Sequence, residues 1–276
     1  MYDRAADRKS TAFRTASPPE TPSLPSKILP SIVYFALLAT VLYYSLSEGH
    51  SPGGQPWQLQ SDTFVFLSIF QLVYVWALWS SNALYAIAAA RVSTHFVVSS
   101  VLTSAFVHLW VRSHFWPAEL LLLASFFNLS LAYFRHSNTP LPMHIAALAG
   151  PLAWNFAALY CVGATAIRST HLVARIAAHL SICGWLAYGV FYLATYKDFV
   201  VGFALSVLSI STGVAQLPDD LAELSLQPIF AFTVAGLLFA VSFGVAFPGL
   251  LSHEPFPRGR IVSDDRERAP LLPCGE

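Results

Sequence analysis

The sequence predicts an all-α fold: a bundle of about eight membrane-spanning helices with both termini in the cytosol. Two observations carry this prediction. Of the 276 residues, 55% are hydrophobic and only 11% are charged, whereas soluble proteins average about 45–50% and about 25%. The apolar residues also form long continuous runs, each able to cross about 30 Å of hydrocarbon as a helix. The composition therefore excludes a soluble domain and a mostly disordered chain.

Eight apolar runs fill residues 29–252, the predicted transmembrane domain. Strands of a membrane barrel would alternate polar and apolar residues over about ten positions, which these runs do not do. The runs are 30–46, 64–81, 93–111, 117–134, 143–167, 172–196, 199–217 and 226–251. The least certain boundary lies at residues 82–92 (NALYAIAAARV), which either extend the second helix or lie at the interface.

Polar and helix-breaking residues separate the runs. Glycine, proline and polar residues at 48–62 divide the first helix from the second. A proline-bounded turn, HSNTPLP, divides the fourth from the fifth, Lys197-Asp198 breaks the chain between the sixth and seventh, and acidic PDDLAELS precedes the eighth. Residues 1–28 and 253–276 are polar and are predicted to be disordered tails. The first 28 residues lack the apolar core of a signal peptide, so the first helix would act as the insertion signal.

The basic residues predict the orientation. With eight helices both tails share one side, and twelve of the 15 Lys and Arg residues fall on that side, which the positive-inside rule makes cytosolic. Seven helices would split the basic tails across the membrane. An endomembrane or the plasma membrane is favoured as the location. Aromatic residues near the helix ends are predicted to form an interfacial belt; they include Trp110, Trp116, Tyr133, Tyr192 and Tyr196.

Polar side chains deep in a membrane are costly, so they are the first candidates for a functional site. Those inside the runs are Gln71, His95, His108, Asn128, Asn155, Arg175, His179 and Gln216. Asn128 and Asn155 lie on antiparallel neighbours at depths of about 10 and 18 Å, too different for a direct hydrogen bond. They are predicted ligand-binding residues, with interhelical hydrogen bonds as the alternative.

Four more candidates map to the cytosolic ends of helices four to seven: Arg135, His144, Lys197 and Asp198. They could converge on a lipid headgroup or an anionic solute. The alternative is that each anchors its own helix at the interface.

One face of the seventh helix carries small and polar residues at spacings of four and three: Gly202, Ser206, Ser209, Gly213 and Gln216. Such a face either allows a neighbouring helix to pack closely or lines a polar pathway.

No cofactor, metal site or catalytic residue is predicted. Haem between helices would need paired histidines at one depth, and His108 with His179 is the one such pair. Cys161, Cys183 and Cys274 show no metal-binding spacing. Hydrolase, nucleotide-binding and nucleic-acid-binding motifs are absent from the sequence. The predicted partners are the lipid bilayer and a small solute or lipid, and the oligomeric state is left open.

Three stretches resemble a fungal family of polytopic membrane proteins, the fungal domain of unknown function 1774. They are NLSLAYFRH, HIAALAGPLAWNFAALY and YKDFVVGFALSVLSISTGVAQ. The similar positions are Asn128, Arg135-His136, GPLAW at 150–154 and Lys197-Asp198, while 161–163 depart from the pattern. The resemblance covers about residues 90–250 and implies a membrane topology and a fungal origin, but no catalytic residue.

Proline in the fifth helix adds one structural expectation. Pro151 removes a backbone donor and clashes one turn back, so we expect either a kink or a helix that begins there. A broken helix can expose backbone groups to a ligand. Three functions remain open at this point: a protein that binds or moves a small solute or lipid, a membrane-embedded redox or lipid-modifying enzyme, and a structural scaffold.

Overall fold

The fold is all-α, as predicted. A computed structural model describes residues 23–46, 65–136, 139–167, 172–215 and 226–251, which hold eight helices and no strand. The helices are α1 (Leu24–Leu46), α2 (Val65–Trp79), α3 (Ala83–Val111), α4 (Phe115–Arg135), α5 (residues 141–167), α6 (Leu172–Tyr196), α7 (Phe199–Ala215) and α8 (Leu226–Leu251).

Five of these helices are long and apolar enough to cross a membrane, judged by length and composition: α1, α3, α4, α5 and α8. The helices α2 and α7 are apolar but shorter. A helix occupies the described part of each of the eight predicted runs, with α2 ending at Trp79 rather than at residue 81, and α6 and α8 have the predicted bounds. The helix α1 begins at Leu24 rather than at residue 30, because Pro25 falls in its first turn, where its missing N–H costs no hydrogen bond.

Of the two alternatives for residues 82–92, a location at the interface stays a prediction, and an extension of α2 is wrong. Residues 83–92 form the first part of α3 instead. The reason is local, because the Asn82 side chain accepts a hydrogen bond from the Leu84 N–H at 3.0 Å and so caps the new helix. The predicted tails at 1–28 and 253–276 lie outside the described residues except for 23–28.

The helix α5 occupies the centre of the bundle. It packs against α4 and α7, and its N-terminal half also contacts α2. Of its spanning segment 72% is buried, against 28–39% for the other four long helices. Around it, α3 packs against α1 and α4, and α7 pairs with α8. Polar side chains on α5 are therefore surrounded by protein.

The outer surface of the bundle is apolar, and a set of polar side chains is buried within a mainly apolar core. Phe66, Leu120 and Phe127 are 70%, 66% and 63% exposed, and six other helices also expose large apolar side chains. Fourteen described polar residues are buried instead, among them Asn155 and Asp198 at 1% exposure each. Soluble monomeric proteins rarely expose large contiguous apolar patches.

Trp116 is 64% exposed, so its place in the aromatic belt stays a prediction, whereas the prediction is wrong for three other residues, which are buried. Tyr133, Tyr192 and Trp110 are 1–3% exposed and pack inside the bundle. Tyr133 and Tyr192 meet edge to face, with ring centroids 4.8 Å apart. Position near a helix end does not show which way the ring points, and here packing against other rings decides it.

The small-residue face of α7 lies against α8. The Ser206 hydroxyl donates to the Ala235 carbonyl at 2.8 Å. A Cβ on Gly202 would meet the Ser242 hydroxyl, and one on Gly213 would lie 3.1 Å from the Phe232 ring. Gln216 lies outside the described residues. The glycines thus let the two helices approach closely.

Candidate functional site

A buried cluster of three polar side chains, the Asp198 cluster (Tyr133, His144 and Asp198), joins α4, α5 and the connection between α6 and α7. Asp198 Oδ2 accepts the Tyr133 hydroxyl at 2.7 Å and lies 2.6 Å from His144 Nε2. Because a carboxylate only accepts hydrogen bonds, Nε2 must carry a proton. All three side chains are at most 2% exposed.

The connection between α6 and α7 fixes the position of the carboxylate. Lys197 has φ of 50°, a left-handed conformation that reverses the chain within two residues. Asp198 Oδ1 then accepts the Val200 N–H at 3.0 Å, which caps the start of α7. The Lys197-Asp198 break predicted from sequence is thus both a turn and a helix cap.

A π-helical segment fixes the position of His144. Residues His144–Ala149 of α5 have the wider π geometry, in which the Gly150 N–H donates to the Ile145 carbonyl five residues back. The segment ends just before Pro151, whose ring displaces the carbonyl one turn back and supplies no N–H. The helix therefore does not begin at Pro151; instead, the turn before the proline is widened. Short π segments of this kind often occur at functional sites.

Hydrogen bonding keeps Asp198 ionised. Burial by itself raises the pKa of a carboxyl group. The hydrogen bond from His144 and its nearby charge, together with those from the Tyr133 hydroxyl and the Val200 amide, outweigh burial and hold the pKa of Asp198 below its ordinary value of 3.8. On its other side, His144 Nδ1 lies 3.4 Å from the half-buried Thr139 hydroxyl.

A second polar site is a small cavity between α2, α3 and α5, here called the interior cavity. Its space for water is about 20 Å³, which is enough for about one molecule. Its polar lining consists of Gln71, Ser99, Ser100, Thr103 and Asn155.

Two amide oxygens in the interior cavity lack partners. Gln71 Oε1 and Asn155 Oδ1 are buried and have no hydrogen-bond partner among the described residues. Asn155 is 1% exposed and Gln71 is 8% exposed. Because each oxygen only accepts, the pair suits a ligand that offers hydrogen-bond donors. Pro151 also lines this cavity, so the widened part of α5 lies beside both sites.

The other predicted site residues have separate surroundings. Asn128 forms two hydrogen bonds with His95 on α3: its amide donates to the His95 carbonyl at 2.8 Å, and its Oδ1 lies 2.9 Å from Nδ1 of the ring. It does not bond Asn155, as expected from their depths. Arg135 and Lys197 are exposed. His108 lies 2.9 Å from the Tyr44 hydroxyl, and the side chain of His179 lies outside the described residues.

Two residues that matter were missed from sequence. Tyr133 was assigned to the belt although its hydroxyl reaches Asp198. Glu119 lies in α4 next to Gly163 of α5, and its Oε2 is buried without a partner among the described residues. It is one of two acidic residues within the eight predicted helices or at their ends, the other being Asp198, and that rarity could have identified it.

Comparison with known proteins agrees with the resemblance. The model of a family described as a fungal protein of unknown function (DUF1774) matches residues 175–272. The matched segment includes Lys197-Asp198 but begins after Asn128, Arg135-His136 and residues 150–154, so the match starts later than expected and runs further toward the C-terminus. No curated protein and no solved structure is significantly similar to the chain.

Proposed function

We propose that the chain is an integral membrane protein of eight spans with both termini in the cytosol, which binds a small hydrogen-bond-donating solute in the interior cavity. The observation that carries the proposal is a pair of buried amide oxygens without partners, inside a bundle with an apolar outer surface. Because the cavity has room for about one water-sized molecule, size and chemistry limit the solute class to molecules such as water or ammonia.

The distribution of polarity supports the membrane part of this proposal. Exposed phenylalanine, leucine and tryptophan side chains cover the outer helices, and hydrocarbon is the solvent that suits such a surface. Polar side chains bond inside, as those of Ser206 and Asn128 do. Helices satisfy their own backbone groups, which hydrocarbon requires. The shorter α2 and α7 would be accommodated by local thinning of the bilayer.

Topology can be tested with single cysteines placed at Ser10, Gly53 and Ser263 in the membrane-inserted protein. We expect a membrane-impermeant thiol reagent to label Gly53→Cys from the non-cytosolic side, and the other two only after the membrane is opened. The physical reason is the excess of basic residues in the two tails, because the loops carry three on each side. Labelling of the two termini from opposite sides would overturn the even number of spans.

The solute part of the proposal rests on the energetics of the two amides. A buried acceptor without a donor costs about 1–3 kcal/mol, and a ligand that donates to both oxygens would remove that cost. The remaining lining offers hydroxyls from Ser99, Ser100 and Thr103, which can adapt to a donor or an acceptor. The widened turn of α5 beside the cavity provides a place where the bundle can open.

Reconstituted liposomes can test solute binding through flux. We expect the protein to raise the permeability to water or ammonia above that of protein-free liposomes. Asn155→Leu and Gln71→Met, which remove the acceptors at similar size, should each lower that increment about tenfold. Ser209→Ala is the matched control, because Ser209 is buried and without a partner among the described residues but lies on α7. Unchanged flux in both variants, or no flux above protein-free liposomes, contradicts the proposal.

The Asp198 cluster favours a second candidate function, a membrane-embedded enzyme that uses acid–base chemistry. A chain of contacts leads from the buried carboxylate through His144 to the Thr139 hydroxyl at the edge of the bundle. A histidine held by a carboxylate is a common general base. The two candidates separate by variant: His144→Gln would remove such an activity, whereas Asn155→Leu would remove solute flux.

A further inference from the structure

A group of arginine and histidine side chains lies where α3 and α4 meet at their predicted cytosolic ends. His95 and His136 have ring centroids 6.0 Å apart. Arg91 lies one turn before His95 on the same face of α3, and Arg135 is the last residue of α4. Together, Arg91, His95, Arg135 and His136 are here called the α3–α4 basic cluster. It differs from the predicted grouping, in which Arg135 was placed with His144 and Lys197.

The members of the cluster are close enough to interact electrostatically. Burial lowers the pKa of His136, and the positive charges of His95, Arg135 and Arg91 lower it further. The described residues contain two acidic side chains, Glu119 and Asp198. Glu119 lies in the second turn of α4, at its other end, and Asp198 is engaged by His144. Within the described part of the chain, no carboxylate forms an ion pair with either arginine.

The framework of the cluster is rigid. Asn128 holds His95 by two hydrogen bonds, one to the ring and one to the backbone, so α3 and α4 are fixed side by side. The His136 N–H donates to the Ala132 carbonyl and ends α4. The two arginines project from this fixed pair and are exposed. Arginine binds phosphate oxygens through two parallel N–H groups, which makes it suited to phosphate recognition.

Helix lengths place the cluster at the level of lipid headgroups. The 21 residues of α4 span about 31 Å, close to the hydrocarbon thickness, so Arg135 would lie at its edge. The 29 residues of α3 span about 43 Å, so its excess length of about nine residues would carry Arg91 to the same edge. On α4 below Arg135, Leu131 and Phe127 are 56% and 63% exposed and offer a surface for an acyl chain.

We infer that the α3–α4 basic cluster binds the phosphate of an anionic phospholipid in the cytosolic leaflet. The arginines contact the phosphate, and the exposed apolar side chains of α4 contact the acyl chain. This inference rests on the membrane part of the proposed function and is independent of the interior cavity.

The test uses the full-length protein in phosphatidylcholine bilayers with spin-labelled lipids, which report the association of each lipid relative to the bulk. We expect phosphatidic acid to associate more strongly than phosphatidylcholine, and Arg91→Gln or Arg135→Gln to reduce that preference about fivefold each. The double variant should remove it. Arg112→Gln is the matched control, because Arg112 is exposed at the opposite end of α3.

Each other outcome overturns the inference in a defined way. An equal loss in Arg112→Gln would mean general attraction by any surface charge. Displacement of the labelled lipid by millimolar inorganic phosphate would make the ligand a free anion rather than a lipid. Failure of the protein to insert into bilayers would reject the membrane proposal itself, whereas insertion without lipid preference rejects this inference alone. Both arginines are exposed, so thermal unfolding of the variants should match the wild type and confirm that they fold.

Discussion

Replacing Asp198 with alanine is expected to lower the free energy of unfolding by about 3–5 kcal/mol. The carboxylate accepts three hydrogen bonds, from Tyr133, His144 and the Val200 amide, and all three donors lie in the interior. Alanine leaves them without an acceptor and removes the cap of α7. These donors lie on three different helices, α4, α5 and α7, so the substitution breaks contacts to all three at once.

Unfolding of the detergent-purified protein by heat or by denaturing detergent measures this loss. Lys197→Gln is the matched control, since it changes the neighbouring charge but is exposed and makes no contact with the cluster. Asp198→Asn should fall between the two, because one amide oxygen can still accept while the amide nitrogen faces a donor. A loss below about 1 kcal/mol in Asp198→Ala, the net value of one ordinary hydrogen bond, would mean that the cluster does not hold these helices together.

The pH dependence of the same difference gives a second readout. The pKa of Asp198 is lowered in the folded state, so its ionised form contributes stability above the ordinary value of 3.8, and that contribution is lost as pH falls through the folded pKa. The stability difference between wild type and Asp198→Ala should therefore be full at neutral pH and shrink below about pH 3.8. A difference that grows on acidification would contradict an ionised carboxylate.

The helical architecture followed from the sequence because each apolar run carries its own signal. Composition, run length and breakers such as Lys197-Asp198 gave eight helices, two of them with the correct bounds. The missed boundary at residues 82–92 shows the limit of that signal. Those residues are apolar enough for either neighbouring helix, and the deciding feature is one hydrogen bond from the Leu84 N–H to the Asn82 side chain.

The site was predictable only in part, because its contacts join distant positions. His144 and Asp198 were both candidates, but their contact spans 54 residues and the Tyr133 contact spans 65. The direction of the His144 side chain was a second feature that could not be predicted from the sequence. A π turn holds one extra residue, which rotates the residues before it by about 100° relative to a regular helix. Periodicity alone therefore could not show that His144 faces the α6–α7 connection.

Gly150→Ala is expected to destabilise the protein by about 2–3 kcal/mol, the range for overpacking a tight site. An added Cβ would lie 2.7 Å from the Ile145 carbonyl oxygen and 2.8 Å from Leu67 Cδ1. The Leu67 side chain can move, but the Ile145 carbonyl is backbone and accepts the Gly150 N–H. In an ordinary helix the same change stabilises by about 1 kcal/mol, so the sign of the effect reports the π segment.

Two glycines in α8 supply matched controls for the sign of the stability change in Gly150→Ala. A Cβ on Gly236 or Gly244 meets nothing within 4 Å among the described residues, so their alanine variants should be neutral or slightly stabilising. If Gly150→Ala behaved like them, α5 would tolerate a regular helix before Pro151.

The double variant Gly150→Ala with Asp198→Ala tests whether the π segment positions His144 against Asp198. The widened turn begins at His144, so a disturbance at Gly150 should weaken the contact between His144 and Asp198. The two alanine substitutions would then cost less together than the sum of their separate effects, by about 0.5–3 kcal/mol in a double-mutant cycle. Strict additivity would mean that the π turn does not position His144 against Asp198. A combined cost below the sum of the separate costs would mean that the π turn positions His144. The irregular geometry of α5 would then serve to form the buried hydrogen bond between His144 and Asp198, at the start of α7.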